Sequence, residues 1–381
     1  MTGFRTPLGF KISGVRAGIK KEGLDLGLIY SDRPATAAAV YTQNAFPAAP
    51  ILVSSANLLQ TGQIARAVLV NSGNANAVTG EAGMVAARSC AEQLASRLGC
   101  SPAEIFVSST GVIGRPLPTQ KIHDAIPELV DSMNADRSGQ FAQSIMTTDT
   151  FPKIAGVETN GARILGFAKG AGMIHPNMAT MLSFVMTDAE VSPPELDRAL
   201  RDAVDQSFHS ISVDGDTSTN DVVLVLANGA SGVSLKAVDI TEKLTEVCQT
   251  LAKAIVRDGE GATKFVELII EGAPSNDAAR EIGRTIARSP LVKTAIYGCD
   301  PNWGRLIAAV GNSGIKLSSD HVDLYIDDIP LINGDLKLAS QHLAQKEITI
   351  RVSLHSGEGH ARVWTCDLTE GYIRINADYT T

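Results

Sequence analysis

The sequence predicts a mixed α/β (α+β) fold built in layers. Three observations carry this. Short apolar runs alternate with segments whose apolar residues recur at helical spacing. Thirty-four glycines punctuate the 381 residues, as many short elements joined by tight turns require. Apolar residues make up 44% of the chain and aromatic residues only 5%, so the core is expected to be Ala, Val, Leu and Ile packing. The length suits two or three domains, or one large layered unit.

The elements follow in order. AAVYT (38–42) and ARAVLVN (65–71) read as strands. Met84, Ala87, Ala91, Leu94 and Leu98 share one face of a helix over 80–98. Ser101-Pro102-Ala103-Glu104 has the form of a capping box and opens a short turn before the strand IFVSST (105–110). Ser192-Pro193-Pro194-Glu195 repeats that signature, and Leu196, Leu200 and Val204 mark a helix to about 207. NDVVLVLAN (220–228) is β-rich. Thr241 is expected to start a helix that buries Leu244, Val247, Leu251 and Ile255 and stops at Asp258-Gly259-Glu260-Gly261. KFVELIIEG (264–272) reads as a strand, and Asn276 as the cap of a helix to about Ala287. A smaller C-terminal α/β domain is expected over about 276–381, after a layered unit over about 1–275. Asn302 to Val310 fits a helix. Ile348, Ile350, Val352 and Leu354 alternate with period two, as do Trp364, Cys366 and Leu368, and HSGEGH (355–360) is expected to join them as a hairpin.

Charge and cysteine usage narrow the function. Net charge is −8, with no Lys/Arg cluster, which argues against nucleic acid as the main partner. The five cysteines are scattered with no CxxC, so neither a disulfide framework nor a zinc site is expected, and a reducing cytoplasm fits best. No apolar run reaches the length of a membrane span, and the opening residues lack the apolar core of a secretion signal. P-loop, GxSxG and HExxH signatures are absent. RILGFA (163–168) matches an acetyl-CoA-loop pattern, but Lys169-Gly170-Ala171-Gly172 follows where that loop needs a helix. His355, Glu358 and His360 read as a solvated turn.

The stretch KGAGMIHPNMATMLSFVM (169–186) carries more. A glycine-rich polar loop meets a nearly continuous apolar run at Thr180. Thr180 either just begins a strand, as a β-branched residue does well, or is a nucleophile held on rigid structure. A Thr hydroxyl needs a base. Cutting the chain before the residue frees an α-amine whose pKa of about 8 suits that work. Composition leaves both readings open.

KGAGMIHPNMATML resembles the self-cleavage segment of the ornithine acetyltransferase, or glutamate N-acetyltransferase, family. VNSGNANAVTG (70–80), SSTGVIG (108–114), MTTDTFPK (146–153), SVDGDTSTND (212–221), DGEGATK (258–264), CDPNWGR (299–305) and INADYTT (375–381) agree with it in order. The resemblance implies an α/β/β/α sandwich like that of N-terminal-nucleophile hydrolases, with its own connectivity. It implies cleavage between Ala179 and Thr180, giving an α chain of 1–179 and a β chain of 180–381 that stay together as an α2β2 heterotetramer. The implied reaction is ping-pong acetyl transfer from N2-acetyl-L-ornithine to L-glutamate in arginine biosynthesis. Thr180 would carry the acetyl group, and Thr110 and Gly111 would form the oxyanion hole. Thr147, Lys169, Thr180, Glu260, Asn376 and Thr381 would bind substrate. The penultimate residue, usually basic in the family, is Thr380 here. Some members also make N-acetylglutamate from acetyl-CoA, which leaves acetyl-CoA open as a co-substrate; no cofactor and no metal is otherwise expected. The alternative is a related amidase or aminopeptidase that gives its acyl group to water.

Overall fold

The computed structural model describes residues 3–175, 181–317 and 321–378. Ala179, Thr180 and Thr381 therefore lie outside the described residues.

The first part of the chain runs β1 (Phe10–Val15), β2 (Leu26–Tyr41), α1 (Ala49–Gln60), β3 (Ile64–Asn74), α2 (Gly80–Leu98), β4 (Ile105–Val112), α3 (Thr119–Asp131) and α4 (Ser138–Ser144). It continues through β5 (Lys153–Thr159), β6 (Ala162–Lys169), β7 (Leu182–Thr187), α5 (Pro193–Asp205), β8 (Ile211–Ser212), β9 (Val222–Ala227) and α6 (Ala237–Arg257). One sheet has the order β4-β3-β2-β9-β7-β6-β5, with β1 added to β2.

This sheet is folded back on itself. Helix α4 has seven residues, about 10 Å of length, yet it packs on β1 and β2 and also on β5 and β6. A flat sheet would hold those strands too far apart. The fold runs through β2, 16 residues long, whose pairing with β3 shifts register between Tyr30 and Ala35. Exposed Arg33 and Pro34 occupy that irregularity. Strand parity then sorts the side chains into layers. Val68 and Val70 of β3 share the inner core with Leu165, Phe167, Phe184 and Leu224, whereas Ala67 and Leu69 face α2 and α3. Val223 and Val225 point the other way, onto α5 and α6. The layers are therefore α2/α3, half-sheet, half-sheet, α5/α6: an α/β/β/α sandwich. Phe141 of α4 closes one end of the inner core, with its ring 4.9 Å from that of Phe167 and 6.0 Å from that of Phe184.

The rest of the chain runs β10 (Phe265–Ala273), α7 (Asn276–Ala287), α8 (Pro290–Tyr297), α9 (Trp303–Gly311), β11 (Asp323–Ile326), β12 (Ile329–Pro330), α10 (Leu336–Leu343), β13 (Glu347–Ser353), β14 (Gly359–Cys366) and α11 (Glu370–Asp378). A second sheet has the order β12-β11-β13-β10-β14-β8. Val266, Leu268 and Ile270 on one face of β10 pack with Ile282 and Ile286 of α7.

Several expectations need correction. The runs around 348–354 and 364–368 do not form a hairpin: β10 lies between them, parallel to β13 and antiparallel to β14. The loop 354–358 crosses the end of β10, a span of two strand spacings that five residues cover. Periodicity reports strands but not which strand fills the gap. The second sheet also takes in β10 and β8, so residue 276 falls inside this layer rather than ahead of it. Helix α6 begins at Ala237, a turn before Thr241. Ser275, not Asn276, caps α7, accepting from the Ala278 N–H. The capping box at Ser101 forms, but Ser192 donates 2.5 Å to the Glu195 carboxylate and leaves the helix amides alone. No helix among the described residues is long and apolar enough to cross a membrane.

Candidate active site

The site is assembled where β3, β4 and β6 end. Ser72 and Gly73 of β3 pair with Thr110 and Gly111 of β4, and the register slips at Asn74. Gly111 has φ +128°, and a Cβ there would lie 2.4 Å from the Gly73 carbonyl carbon, so only glycine fits. The end of β4 is clamped. Asn220 Nδ2 donates to the carbonyls of Ala75 at 2.7 Å and Ser109 at 2.9 Å. Ser109 Oγ donates 2.6 Å to Asn71 Oδ1. Three separated motifs thus hold the Thr110-Gly111 pair rigid.

Lys169, the last residue of β6, reaches Thr110: its Nζ donates to Thr110 Oγ1 at 3.1 Å, and both residues are buried. An ammonium has no acceptor, so it fills a lone pair of the Thr110 hydroxyl and leaves that hydroxyl's single proton to be given elsewhere. This is what an oxyanion-hole hydroxyl requires. Burial pulls the Lys169 ammonium below the ordinary lysine range, against the attraction of Asp149 and Asp221.

Asp149 organises the neighbouring loop. It accepts the Thr147 N–H at 3.0 Å and the Gly170 N–H at 2.7 Å, and pairs with Lys153 at 2.6 Å. Burial alone would raise its pKa, but Lys153, Lys169 and the Gly170 amide hold it below the usual carboxylate range. Lys153 also pairs with Asp258 at 2.6 Å, and Asp258 accepts the Thr150 N–H at 3.0 Å. MTTDTFPK is thereby pinned onto the start of DGEGATK. Two residues on, the Glu260 N–H donates 2.9 Å to the Ala171 carbonyl. The Glu260 carboxylate covers Gly172 so closely that a Cβ there would sit 2.2 Å from its Oε2. Asn376 of α11 donates to that same Oε2 at 2.9 Å. The site therefore has a cationic end at Lys169 and an anionic end at Glu260.

The loop between β6 and β7 is fixed on both flanks of residues 176–180. Before them, Asp214 accepts the N–H groups of Met173 at 2.5 Å and Ile174 at 2.9 Å, and Tyr372 of α11 reaches Asp214 at 3.3 Å. After them, the Met181 N–H donates 3.1 Å to Asp221 Oδ1. Burial pushes Asp221 well above the usual carboxylate range, against its amide donors and Lys169. His175 lies 3.2 Å from Ser212 Oγ, and burial with the nearby Arg288 and Arg284 charges lowers its pKa to about 4.

Of the residues expected at the site, Thr110, Gly111 and Lys169 adjoin one another, and Glu260 adjoins Asn376. Thr147 is held by Asp149, which also holds Gly170. Thr180, Ala179 and Thr381 lie outside the described residues. Asp149, Lys153, Asp214, Asp221, Asp258 and Tyr372 were not singled out from sequence. The one signal for them was an Asp and a Lys four apart inside MTTDTFPK. Outside this site, His321, Asp323 and His355 cluster at the surface, with His355 Nε2 at 2.8 Å from Asp323. Asp323 and His321 lie beyond the turn that sequence reading treated as solvated.

The family model of ArgJ matches residues 11–381. The arginine biosynthesis bifunctional protein ArgJ of Geobacter sulfurreducens is 50% identical over 391 residues, covering 98% of this chain and 99% of its own. That of Thermus thermophilus is 48% identical over 384 residues, covering 99% of each. A crystal structure of the arginine biosynthesis bifunctional protein argJ from Bacillus halodurans is 40% identical with a TM-score of 0.50, over 52% of this chain and 100% of that one. With the match running through every motif of the site, the chain belongs to the ArgJ family.

Proposed function

We propose that this protein transfers acetyl from N2-acetyl-L-ornithine to L-glutamate in arginine biosynthesis, through an acetyl ester on Thr180. The Thr180 hydroxyl attacks the acetamide carbonyl and its own α-amine takes the proton. The oxyanion is held by the Thr110 hydroxyl and the Gly111 amide. Collapse releases L-ornithine, to which the α-amine returns the proton. The L-glutamate amine then attacks the ester, the same amine relays its proton, and N-acetyl-L-glutamate leaves. Lys169 and Thr147 receive the amino-acid carboxylate. Glu260, Asn376 and Thr381 receive the ornithine ammonium.

The contact of Lys169 with Thr110 carries this reading. It joins the cation assigned to substrate and the hydroxyl assigned to the oxyanion directly, with both residues buried. The reading requires that the chain be cut between Ala179 and Thr180, with 1–179 and 180–381 assembled as α2β2 in the cytoplasm. The relatives are named bifunctional, and acetyl-CoA as a second donor is our reading of that word for this chain.

Partitioning tests the transferase reading. Acetylornithine supplied with glutamate should give N-acetylglutamate; acetate as the main product would assign the enzyme to hydrolysis. Acetyl-CoA in place of acetylornithine tests the second donor by the same product.

A further inference from the structure

Lys20 is an ammonium at this site that the reaction above does not use. Its loop is fixed by Asp25, fully buried, whose carboxylate accepts the N–H groups of Ala17 at 2.6 Å, Ile19 at 2.5 Å and Lys20 at 2.9 Å. The Asp25 carbonyl accepts from the Ser72 N–H at 2.9 Å, which ties the loop to β3 one residue before Gly73. The stem of Lys20 then lies flat on Gly73: a Cβ on that glycine would sit 2.7 Å from Lys20 Cγ. Gly73 is the pairing partner of Gly111. Lys20 is thus one strand from the oxyanion pair. Its Nζ donates 3.0 Å to the Met146 carbonyl, beside Thr147.

The surrounding charges leave Lys20 under-neutralised. The Asp25 carboxylate is occupied by three amides. Asp149 is occupied by Lys153 and the Thr147 and Gly170 amides. Among the described residues, the Lys20 ammonium bonds one carbonyl and the Lys169 ammonium one hydroxyl, although each has three protons to donate. Burial lowers both pKa values, Asp25 and Asp149 raise that of Lys20, and Lys169 opposes it. Two cations that repel each other, each with one of its three protons engaged, fit an anion between them.

We propose that Lys20 is a second cation of the amino-acid pocket, binding with Lys169 the α-carboxylate that both substrates share. This rests on the functional reading above. It explains how one pocket serves a donor and an acceptor whose side chains carry opposite charge: the common carboxylate is held by the paired lysines.

The test uses Lys20→Met, which keeps the stem on Gly73 and removes the charge, and Lys20→Arg, which restores it. Lys20→Met should raise KM for N2-acetylornithine and for glutamate by about tenfold each, the scale of one lost charge-assisted bond, with kcat changed far less. Lys20→Arg should recover most of the loss. N-acetyl-1,4-diaminobutane, a donor without the carboxylate, should be used equally well by wild type and Lys20→Met. Unchanged KM for both amino acids, or an equal loss with the carboxylate-free donor, would overturn the proposal. Calorimetric binding of ornithine and glutamate reads the same contact without turnover. If wild type transfers no acetyl at all, the functional reading fails, and this binding comparison still decides the role of Lys20. Should Lys20→Met not fold, Lys20→Gln takes its place in both measurements.

Discussion

Two buried lysines make the same contact and differ in the rest of their partners. Lys169 donates 3.1 Å to Thr110 Oγ1 in the first sheet, and Lys293 of α8 donates 3.1 Å to Thr365 Oγ1 in the second. Both residues are 2% exposed. Lys293 also donates to the Cys366 carbonyl and lies 3.6 Å from Cys366 Sγ, so its protons are spoken for by the chain itself. Lys169 bonds no carbonyl among the described residues and faces a loop organised by Asp149. A buried cation whose valences the backbone fills is a fastener, whereas one left short waits for a ligand. Burial and distance to a hydroxyl do not separate them; the remaining partners do.

The largest effect that would break this contrast is at Lys169. Under the proposed function, in which Lys169 binds substrate and orients an oxyanion donor, Lys169→Met should lower kcat/KM by about a hundredfold or more. Its melting temperature should stay close to wild type. A variant with normal kinetics and a large melting loss would make Lys169 a second fastener. Gly111→Ala comes next. The added Cβ meets the Gly73 backbone, so the Gly111 amide, assigned above to the oxyanion, must move. Turnover should fall more than substrate affinity, because the amide acts in the transition state. A change in KM alone would contradict that.

Lys293→Met should show the opposite pattern. It leaves the Cys366 carbonyl without its donor and should cost about 1–3 kcal/mol of stability, read by chemical denaturation, with kcat/KM preserved. Lost activity in a fully folded variant would dissolve the distinction. The smallest effect concerns pH. His175 is held neutral by burial, with its pKa lowered from 6.5 to about 4. Its contribution to stability is complete above 6.5 and is lost as pH falls through that window toward about 4. Melting temperature should decline over this range, and His175→Gln should remove part of the decline. An identical profile in the variant would assign the decline to other groups.

Much of the fold was legible because each element states its own period. Helix α2 runs from Gly80 to Leu98 as its apolar spacing indicates, and the Ser101 capping box is formed. What the sequence could not show was which elements meet. Strands β13 and β14 look like a hairpin because both alternate and the loop is short, yet β10 fills the space between them. The bend of β2 is hidden because one long strand with a charged interruption reads like two strands or none. At the site, Thr110, Thr147, Lys169, Glu260 and Asn376 were expected from the family resemblance of their motifs, not from local physics. Asp149, Asp221 and Asp258 were missed because an acid in a Gly/Ser/Thr loop has the composition of a solvated turn. Only tertiary burial makes those carboxylates the frame that holds Gly170, Met181 and Thr150.

The central claim is that Thr180 becomes a new chain terminus and carries acetyl. Intact mass of the purified protein, measured before and after incubation with N2-acetylornithine without glutamate, tests it directly. The expected result is two fragments, 1–179 and 180–381, with one acetyl group gained by the fragment beginning at Thr180 and removed when glutamate is added. A single uncut chain of 381 residues that turns over substrate without any acetyl adduct would contradict it.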